Sequence, residues 1–390
     1  MSKSIYLDYA ATTPVDPKVA DAMRACLSAE GCFGNPGSST HRYGWEAKER
    51  IDTAREQVAA GIKADPKTIV WTSGATEANN LAIKGYALAH QDRGRHIITA
   101  QTEHKAVLDV CGFLETQGFS VTYLKPCPDG LLSLASYKAA IRPDTILASI
   151  MLVNNETGVI QDIPEFAEIA HQHEFALHVD AAQAVGKIRV DVNALDADLL
   201  SLSAHKVYGP KGCGALYVRR RPRIKLQALI HGGGQELGLR AGTLATHQIV
   251  GMGEAFALAD VKLPEDFRRI AGLQQQLWQG IAELPQIYRN GRVEDSVPHI
   301  VNISFAGVDG EALLMALQEL AVSSGSACTS ASMETSHVLR AMGVSDTLAH
   351  STIRFSLGRY TTPAEIARAV ALIKHHVDKL RSLSPLWKQP

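Results

Sequence analysis

Short runs of apolar and β-branched residues alternate with longer amphipathic segments through the first part of the chain. Apolar runs of about four to eight residues are typical of buried strands, whereas apolar residues spaced three and four apart are typical of helices. The predicted strands are residues 68–73, 96–100, 120–124, 145–153, 176–180, 199–203 and 214–218. The predicted helices lie near residues 77–91, 105–117 and 164–173. This alternation predicts an α/β fold with a mainly parallel sheet covered by helices on both faces.

The pattern changes after a long segment around residues 247–284. Short strands at 301–305 and 353–356 flank further helices, and an amphipathic helix is expected over 363–383. We therefore predict a large domain over residues 16–260 and a smaller α+β domain over residues 261–390. Residues 1–15 are expected to form an arm that packs with the small domain.

The composition is that of a folded protein with a large core, and it argues against two functional classes, nucleic-acid binders and membrane proteins. The chain has 390 residues, 46% hydrophobic and 20% charged, which suits a large buried core. The 39 Lys and Arg residues nearly balance the 40 Asp and Glu residues, so a nucleic-acid binder, which normally has a basic domain or face, is not indicated. The longest apolar run, 146–153, is far shorter than the ~20 residues of a membrane span.

Two further features favour a cytoplasmic protein. Asp8 lies where a signal peptide would need an apolar stretch. The cysteines are scattered and include no Cys-x-x-Cys pair, so free thiols in a reducing compartment are expected rather than disulfides or a zinc site.

Polar residues that follow the predicted strands form the most informative pattern in the chain. In open α/β sheets, ligands bind beyond the carboxyl ends of the strands. The first strand is followed by the turn Ser73-Gly74-Ala75-Thr76-Glu77, which leads into a helix. Backbone N–H groups at a helix start favour a phosphate group. The turn has no P-loop lysine and no Gly-x-Gly-x-x-Gly segment, so nucleoside triphosphates and dinucleotides are poor candidates.

Side chains that can bind a ligand or transfer a proton also follow the later predicted strands. His104 follows the second strand, where it could stack on a planar ring, handle a proton, or simply lie beside a helix start. The fourth strand is followed by Asn154-Asn155-Glu156-Thr157-Gly158. Asp180 ends the next strand, where a partly buried carboxylate is costly unless a cation or donor meets it. Lys206 lies just past the strand after that, in Ser203-Ala204-His205-Lys206.

In combination these residues predict a pyridoxal phosphate site. Lys206 could form a Schiff base with the cofactor and, once displaced, move a proton at the substrate α-carbon. Asp180 would keep the pyridine nitrogen protonated, so that the ring can accept electrons from a substrate carbanion. Each residue has an ordinary structural explanation by itself, but their order on successive strands favours the cofactor.

The predicted small domain adds a cysteine and an arginine. Residues 323–332 are small and surround Cys328, a composition that favours a mobile loop presenting a nucleophilic thiol; a solvated linker with an incidental cysteine is the alternative. Arg354 lies in an apolar strand, where its guanidinium could hold a carboxylate through two parallel hydrogen bonds.

These residues and motifs resemble the pyridoxal phosphate-dependent cysteine desulfurases of the IscS/NifS type, most closely the IscS form. The similarity runs from Tyr6-Leu7-Asp8-Tyr9-Ala10-Ala11-Thr12-Thr13 to Trp387 and includes Ser323-Ser324-Gly325-Ser326-Ala327-Cys328-Thr329-Ser330. The resemblance implies a fold-type I, aminotransferase-like homodimer whose large domain binds pyridoxal phosphate.

The resemblance also implies roles for individual residues. Ala75, Thr76, Ser203 and His205 would bind the cofactor phosphate, and Thr243 would reach the phosphate of the other subunit. The remaining expected contacts are His104 stacked on the ring, Asn155 and Gln183 at the ring hydroxyl, and Asn155 and Arg354 at the substrate carboxylate.

For the sulfur, the resemblance implies that Cys328 attacks bound L-cysteine, keeps the sulfur as a persulfide and leaves L-alanine. The persulfide would be delivered to acceptor proteins, including an iron–sulfur scaffold of the IscU type, with which Cys328 would transiently share a [2Fe-2S] cluster. Leu237 and Ala241 stand where relatives usually have Arg and Ser. The chain ends three residues after Trp387, where relatives continue, and weaker scaffold docking is therefore expected.

Two other kinds of protein share part of this pattern. A selenocysteine lyase or an aminotransferase would use the same cofactor for a different outcome. A sulfur carrier or assembly subunit without cofactor would use only the Cys328 loop, and nothing in it would require Lys206 or Asp180.

Overall fold

The computed structural model describes residues 4–324, 335–384 and 387. The strands of these residues are β1 (Ile5–Tyr6), β2 (Ile69–Thr72), β3 (His96–Ala100), β4 (Ser120–Leu124), β5 (Thr145–Met151), β6 (Ala176–Asp180), β7 (Leu199–Ser203), β8 (Gly214–Val218), β9 (Ile287–Asn290), β10 (Ile300–Phe305), β11 (Leu320–Ala321), β12 (Ser323–Ser324) and β13 (Thr352–Ser356). The α-helices are α1 (Pro17–Arg24), α2 (Arg42–Gly61), α3 (Ala75–His90), α4 (Lys105–Thr116), α5 (Leu134–Ala140), α6 (Ile163–Gln172), α7 (Val192–Leu195), α8 (Thr246–Ile281), α9 (Gly310–Ala316), α10 (His337–Ala341), α11 (Asp346–His350) and α12 (Pro363–Leu383).

Seven strands of the described residues form one large sheet in the order β2-β8-β7-β6-β5-β3-β4. The neighbours from β7 to β4 are parallel, whereas β8 is antiparallel to both β2 and β7. Every strand predicted between residues 68 and 218 belongs to this sheet. The expected α/β fold with a mainly parallel sheet is confirmed.

The two faces of this sheet are buried under different helices. Side chains of successive strand residues point to opposite faces. Ile97 and Leu147 accordingly belong to the apolar cluster that contains residues of α3 and α4. Their neighbours Ile98 and Ala148 belong to the cluster that contains residues of α2 and of the first half of α8. Burial on both faces explains why these strands are continuous apolar runs in the sequence.

A third buried cluster surrounds a four-stranded antiparallel sheet in the order β12-β13-β10-β9. It contains residues of α12 and of the second half of α8, and also Ile5 and Leu7 from the start of the chain. β1 pairs in parallel with β11, so the N-terminal segment contacts this part of the molecule. The predicted domain boundary after residue 260 lies inside α8, and the division into domains stays a prediction.

None of the helices that the structure describes is both long enough and apolar enough to span a membrane.

Candidate active site

Several of the predicted site residues lie at one edge of the large sheet, where its parallel strands end. Asp180 is the last residue of β6, and Ser203 is the last residue of β7, the strand beside it. A single 3-10 turn, Ala204–Lys206, follows β7 directly and carries His205 and Lys206. The strand order therefore brings the carboxylate, the hydroxyl and the amine of these segments to the same edge.

The amine of Lys206 is held by the N-terminal segment. Lys206 Nζ donates to the carbonyl oxygens of Ala10 at 2.6 Å and Ala11 at 2.8 Å. Gln183 Nε2 donates to the same Ala10 oxygen at 2.8 Å. Thr13 fastens this segment, since its backbone N–H and its hydroxyl both donate to the carbonyl oxygen of His205. Lys206 Nζ and Gln183 Nε2 therefore donate to the same carbonyl oxygen and lie next to each other.

Asp180 has two donors and is almost completely buried. Its Oδ2 accepts from Asn79 Nδ2 at 2.8 Å, and its Oδ1 accepts from the Ala182 backbone N–H at 2.9 Å. Asn79 lies on α3 and is fully buried. Sequence reasoning missed Asn79, although a signal existed: it is a polar residue on the helix face that also presents the buried Ala78 and Leu81.

The environment of Asp180 contains no charged histidine on its own strand. His178, on the same face of β6, contacts Ser149 Oγ at 2.8 Å and Ser201 Oγ at 2.9 Å. Burial lowers the pKa of His178 to about 4, despite the nearby Asp180 carboxylate, so the imidazole is neutral at pH 7. The Asp180 charge therefore remains available to a cationic group at the strand end.

The turn before α3 packs closely against β8 and is open at the position where a Gly74 side chain would lie. α3 begins at Ala75, two residues before the predicted start, and Glu77 Oε2 accepts from the Ser73 backbone N–H at 2.8 Å. A Cβ atom on Gly214 of β8 would lie 2.6 Å from Gly74 Cα, so glycine at 214 permits this close contact. A Cβ atom on Gly74 would meet nothing within 4 Å. The start of α3 thus offers backbone N–H groups to an anion.

Several buried polar atoms near these groups have no hydrogen-bond partner among the residues that the structure describes. They include Ser203 Oγ, Asn155 Oδ1 and Asn79 Oδ1. Leaving a buried polar atom without a partner costs about 1–3 kcal/mol, so such atoms point to a polar ligand. His205 lies beside Ser203, with Nδ1 at 3.1 Å from Thr12 Oγ1. Burial and the charge of Lys206 lower its pKa to about 4, so it is a neutral imidazole.

His104 is the N-cap residue of α4, and its Nδ1 accepts from the Ala106 backbone N–H at 3.0 Å. Glu103 lies just before it and is buried, with one carboxylate oxygen accepting from Met151 N. Burial, reinforced by the charge of Asp180, raises the pKa of Glu103 well above its usual value. The N-cap contact orients the His104 ring at the carboxyl end of the sheet.

Arg354 connects the second sheet to this site. It lies on β13 and is buried, with Nη1 donating to the Asn155 carbonyl at 2.8 Å and Nη2 donating to Asp8 Oδ1 at 2.8 Å. Arg354 Nε has no partner among the described residues. Asp8 was not predicted as a site residue, because its contact with Arg354 crosses almost the whole length of the chain.

Two predicted residues need separate mention. Cys328 lies outside the described residues. Thr243 is exposed and lines a cavity of about 530 Å³ together with Arg55, Glu236 and Leu237, and in the described part of the chain no hydrogen bond connects it to the Lys206 group. Its predicted contact would be made with a second subunit, and it stays a prediction.

Known proteins resemble this chain over nearly its whole length. The family model for class-V aminotransferases matches residues 5–369. The cysteine desulfurase IscS of Aeromonas hydrophila subsp. hydrophila is 59% identical over 388 residues, which cover 100% of this chain and 96% of that protein. A solved NifS-like protein has a TM-score of 0.88 and 36% identity, covering 97% of this chain and 99% of its own. A structure described as SspA in complex with cysteine has a TM-score of 0.81 and 41% identity, covering 92% of this chain and 100% of its own.

The similarities confirm the resemblance that the motifs indicated. The residues at the strand ends also fit pyridoxal phosphate: a lysine amine, a buried carboxylate, a helix start that favours a phosphate, and buried polar atoms without partners, among them Ser203 Oγ and Asn155 Oδ1. The chain belongs to the class-V aminotransferase family and, within it, to the pyridoxal phosphate-dependent cysteine desulfurases of the IscS/NifS type.

Proposed function

We propose that this cysteine desulfurase divides its work between a cofactor site centred on Lys206 and Asp180 and a sulfur-accepting thiol on Cys328. The observation that carries the proposal is the position of the Lys206 amine, held on the Ala10 carbonyl beside Gln183 and one strand away from Asp180. That arrangement offers an amine and a carboxylate to one planar ring, as pyridoxal phosphate chemistry requires.

The residues around Lys206 supply the contacts of the cofactor. The phosphate would be held by the backbone of Ala75 and Thr76 at the start of α3, by Ser203 Oγ and by His205. Pyridoxal phosphate serves as an electron sink when bound. Asp180 would hold a proton on the ring nitrogen, and Lys206 would move a proton at the substrate α-carbon. His104 would stack on the ring, and Asn155 and Gln183 would contact its hydroxyl.

Arg354 and Asn155 would hold the carboxylate of L-cysteine. Arg354 is cationic and buried, and its Asp8 and Asn155 contacts fix the plane of the guanidinium. A fixed guanidinium loses little freedom on binding a carboxylate, and its contacts are stronger than those of neutral donors. The structure of SspA in complex with cysteine supports this substrate, because that protein is 41% identical to this chain.

The sulfur would leave the substrate through Cys328. The Cys328 thiolate attacks the substrate sulfur, and the carbon–sulfur bond breaks. The carbon keeps the electron pair and gains a proton to give L-alanine, and the sulfur remains on Cys328 as a persulfide. We propose delivery from there to acceptor proteins, including a scaffold of the IscU type with which Cys328 transiently shares a [2Fe-2S] cluster. We also propose a cytoplasmic homodimer in which Thr243 completes the partner's phosphate site.

The test of the function is a product assay on the purified protein. With L-cysteine present, we expect a protein that absorbs visible light to release L-alanine and, with a thiol reductant, sulfide in equal amounts. A colourless protein would indicate a carrier without cofactor. Transfer of the amino group to a 2-oxo acid, which leaves 3-mercaptopyruvate, would indicate an aminotransferase, and turnover of selenocysteine alone would indicate a selenocysteine lyase; each of these results contradicts the proposal.

Exchange of Asp180 for asparagine should lower kcat at least about 100-fold, because a preorganised charge at the reacting group is worth about that much. Asparagine can still accept from Asn79 and keeps the size of the side chain, so the fold and cofactor binding should persist. The measurement is the rate of alanine formation with the protein saturated with cofactor.

Asp162→Asn provides the control, since Asp162 is exposed and its side chain makes no cap hydrogen bond at the start of α6. This variant should turn over at the wild-type rate. An Asp180→Asn protein within a factor of two of wild type would show that the ring nitrogen does not depend on Asp180.

A further inference from the structure

The turn after β6 carries a buried lysine, Lys187, in addition to the half-buried Lys206 just after β7. Lys187 N donates to the Ala184 carbonyl at 3.0 Å, which closes the turn. Gly186 has a φ of +74°, and a Cβ atom there would lie 2.7 Å from a methyl carbon of Val207. Glycine at 186 therefore lets the turn approach the segment of Lys206, and the Lys187 side chain is only 5% exposed.

A chain of hydrogen bonds connects Lys187 to the group that holds Lys206. Lys187 Nζ donates to Gln183 Oε1 at 2.8 Å. At the other end of the amide, Gln183 Nε2 donates to the Ala10 carbonyl, which also accepts from Lys206 Nζ. A carbonyl oxygen can only accept, so the contact with Ala10 fixes the orientation of the amide and leaves Oε1 to accept from Lys187. One N–H of Gln183 Nε2 remains for a further acceptor beside Lys206.

Lys187 occupies this position at an energetic cost. Burial, together with the positive charges of Lys206 and Arg354, lowers the pKa of Lys187 to about 7. His299 is also nearby, and burial holds it neutral. No acid of the described residues is among the groups that shift Lys187, so an ion pair does not explain its presence. Its hydrogen bond to Gln183 is the interaction that distinguishes it from an apolar residue of similar size.

We propose that Lys187 is a positioning residue: through Gln183 it keeps an amide N–H on the side of Lys206, where the ring oxygen of the cofactor accepts it. The proposal rests on the proposed roles of Gln183 and Lys206. A donor to the ring oxygen stabilises negative charge there and so lowers the basicity of the nitrogen that joins the ring to Lys206. Without Lys187, Gln183 Oε1 loses its donor and the amide loses one of its two anchors.

The experiment is a pH titration of cofactor absorbance in the purified holoenzyme, without substrate. Lys187→Met removes the donor and leaves an unbranched apolar side chain that is one heavy atom shorter. Loss of one hydrogen bond to a charged group should raise the apparent pKa of the chromophore by about one unit. Lys138→Met, at an exposed lysine on α5, should leave the titration unchanged. Cofactor affinity and thermal unfolding are measured in parallel, and a purely structural role would change only the latter.

A double-mutant cycle tests whether Lys187 acts through Gln183. Gln183→Leu alone should raise the apparent pKa as much as Lys187→Met, and the double variant should show no further rise. Should Lys187→Met not fold, Lys187→Gln replaces it: this neutral side chain can still donate to Gln183 Oε1 and should titrate like wild type.

Three results would overturn the proposal. The apparent pKa of the chromophore could be unchanged in folded Lys187→Met, or the shifts of Lys187→Met and Gln183→Leu could add in the double variant. The third is a full shift of this pKa in Lys187→Gln. Failure of the proposed function would be visible separately, because the wild-type protein would then release no alanine from cysteine. Failure of the Lys187 proposal would leave wild-type turnover intact.

Discussion

Replacement of Lys206 by alanine should abolish desulfuration, with a fall in the rate of alanine formation of at least about 1,000-fold. Lys206 is proposed to bind the cofactor covalently and then to move the proton at the substrate α-carbon, and proton transfer by a positioned side chain alone contributes about 100- to 10,000-fold. Among the described residues, the other buried lysine is not placed to replace it: Lys187 points its Nζ at Gln183 Oε1 on the far side of the amide.

The same variant should still bind pyridoxal phosphate, although more weakly, because the phosphate contacts at Ala75, Thr76 and Ser203 are untouched. Its visible spectrum should become that of the cofactor aldehyde. Lys138→Ala, at an exposed lysine, is the matched control and should behave as wild type. Borohydride reduction of the wild-type protein, followed by peptide mapping, identifies the labelled lysine. A label on any residue other than Lys206 would contradict the assignment.

The large sheet could be predicted from the sequence because all of its strands except the edge strand β4 are buried on both faces. Such strands are continuous apolar runs, and β3, β4, β6, β7 and β8 have the predicted bounds. The direction of β8 was not predicted, although the chain contains the signal. Only about ten residues separate β7 from β8, which is too few for the crossover that a parallel neighbour needs. An antiparallel neighbour follows from that length.

The long helix α8 was the least predictable element. Its first half packs on the large sheet and its second half on the small one, so different faces are apolar along its length. Pro264 lies within it, a residue that usually marks a helix end or the first turn. The segment around residues 247–284 therefore had no assigned structure in the sequence analysis.

The site residues that were predicted from the strand pattern share one property: His104, Asp180 and Lys206 are polar residues at or just past the end of an apolar strand. Asn79, Asp8 and Lys187 were missed because their significance depends on contacts between distant segments or on a turn. Asn79 donates to Asp180, which is 101 residues away in the sequence, and Asp8 accepts from Arg354, which is 346 residues away. The Ala10 carbonyl could not have been chosen from residue type at all, since every residue has one. Such contacts can be recognised only when the order of the strands in the sheet is known.

The second large effect is expected for Cys328→Ser, which should reduce persulfide and sulfide formation to background. A thiolate attacks sulfur readily, whereas a serine hydroxyl stays protonated at pH 7 and cannot hold a persulfide. The cofactor site is built from the strand ends of the large sheet, so binding of L-cysteine should remain. Cofactor absorbance should therefore still change when L-cysteine is added, while the yield of sulfide falls. This separation of binding from sulfur transfer is what the proposed division of work requires.

Cys127→Ser is the matched control, because Cys127 is an exposed free cysteine remote in sequence from Cys328. It removes a thiol with the same chemistry and should leave both the absorbance change and the sulfide yield at wild-type values. The measurement combines stopped-flow absorbance with trapping of persulfide by an alkylating reagent and mass mapping of the modified peptide. Sulfide release at the wild-type rate by Cys328→Ser, or its loss in Cys127→Ser, would assign the accepting thiol elsewhere. If a separate thiol accepts the sulfur, we expect two results. The persulfide should be found on Cys328 alone, and the absorbance response of the Cys328→Ser variant should be unchanged.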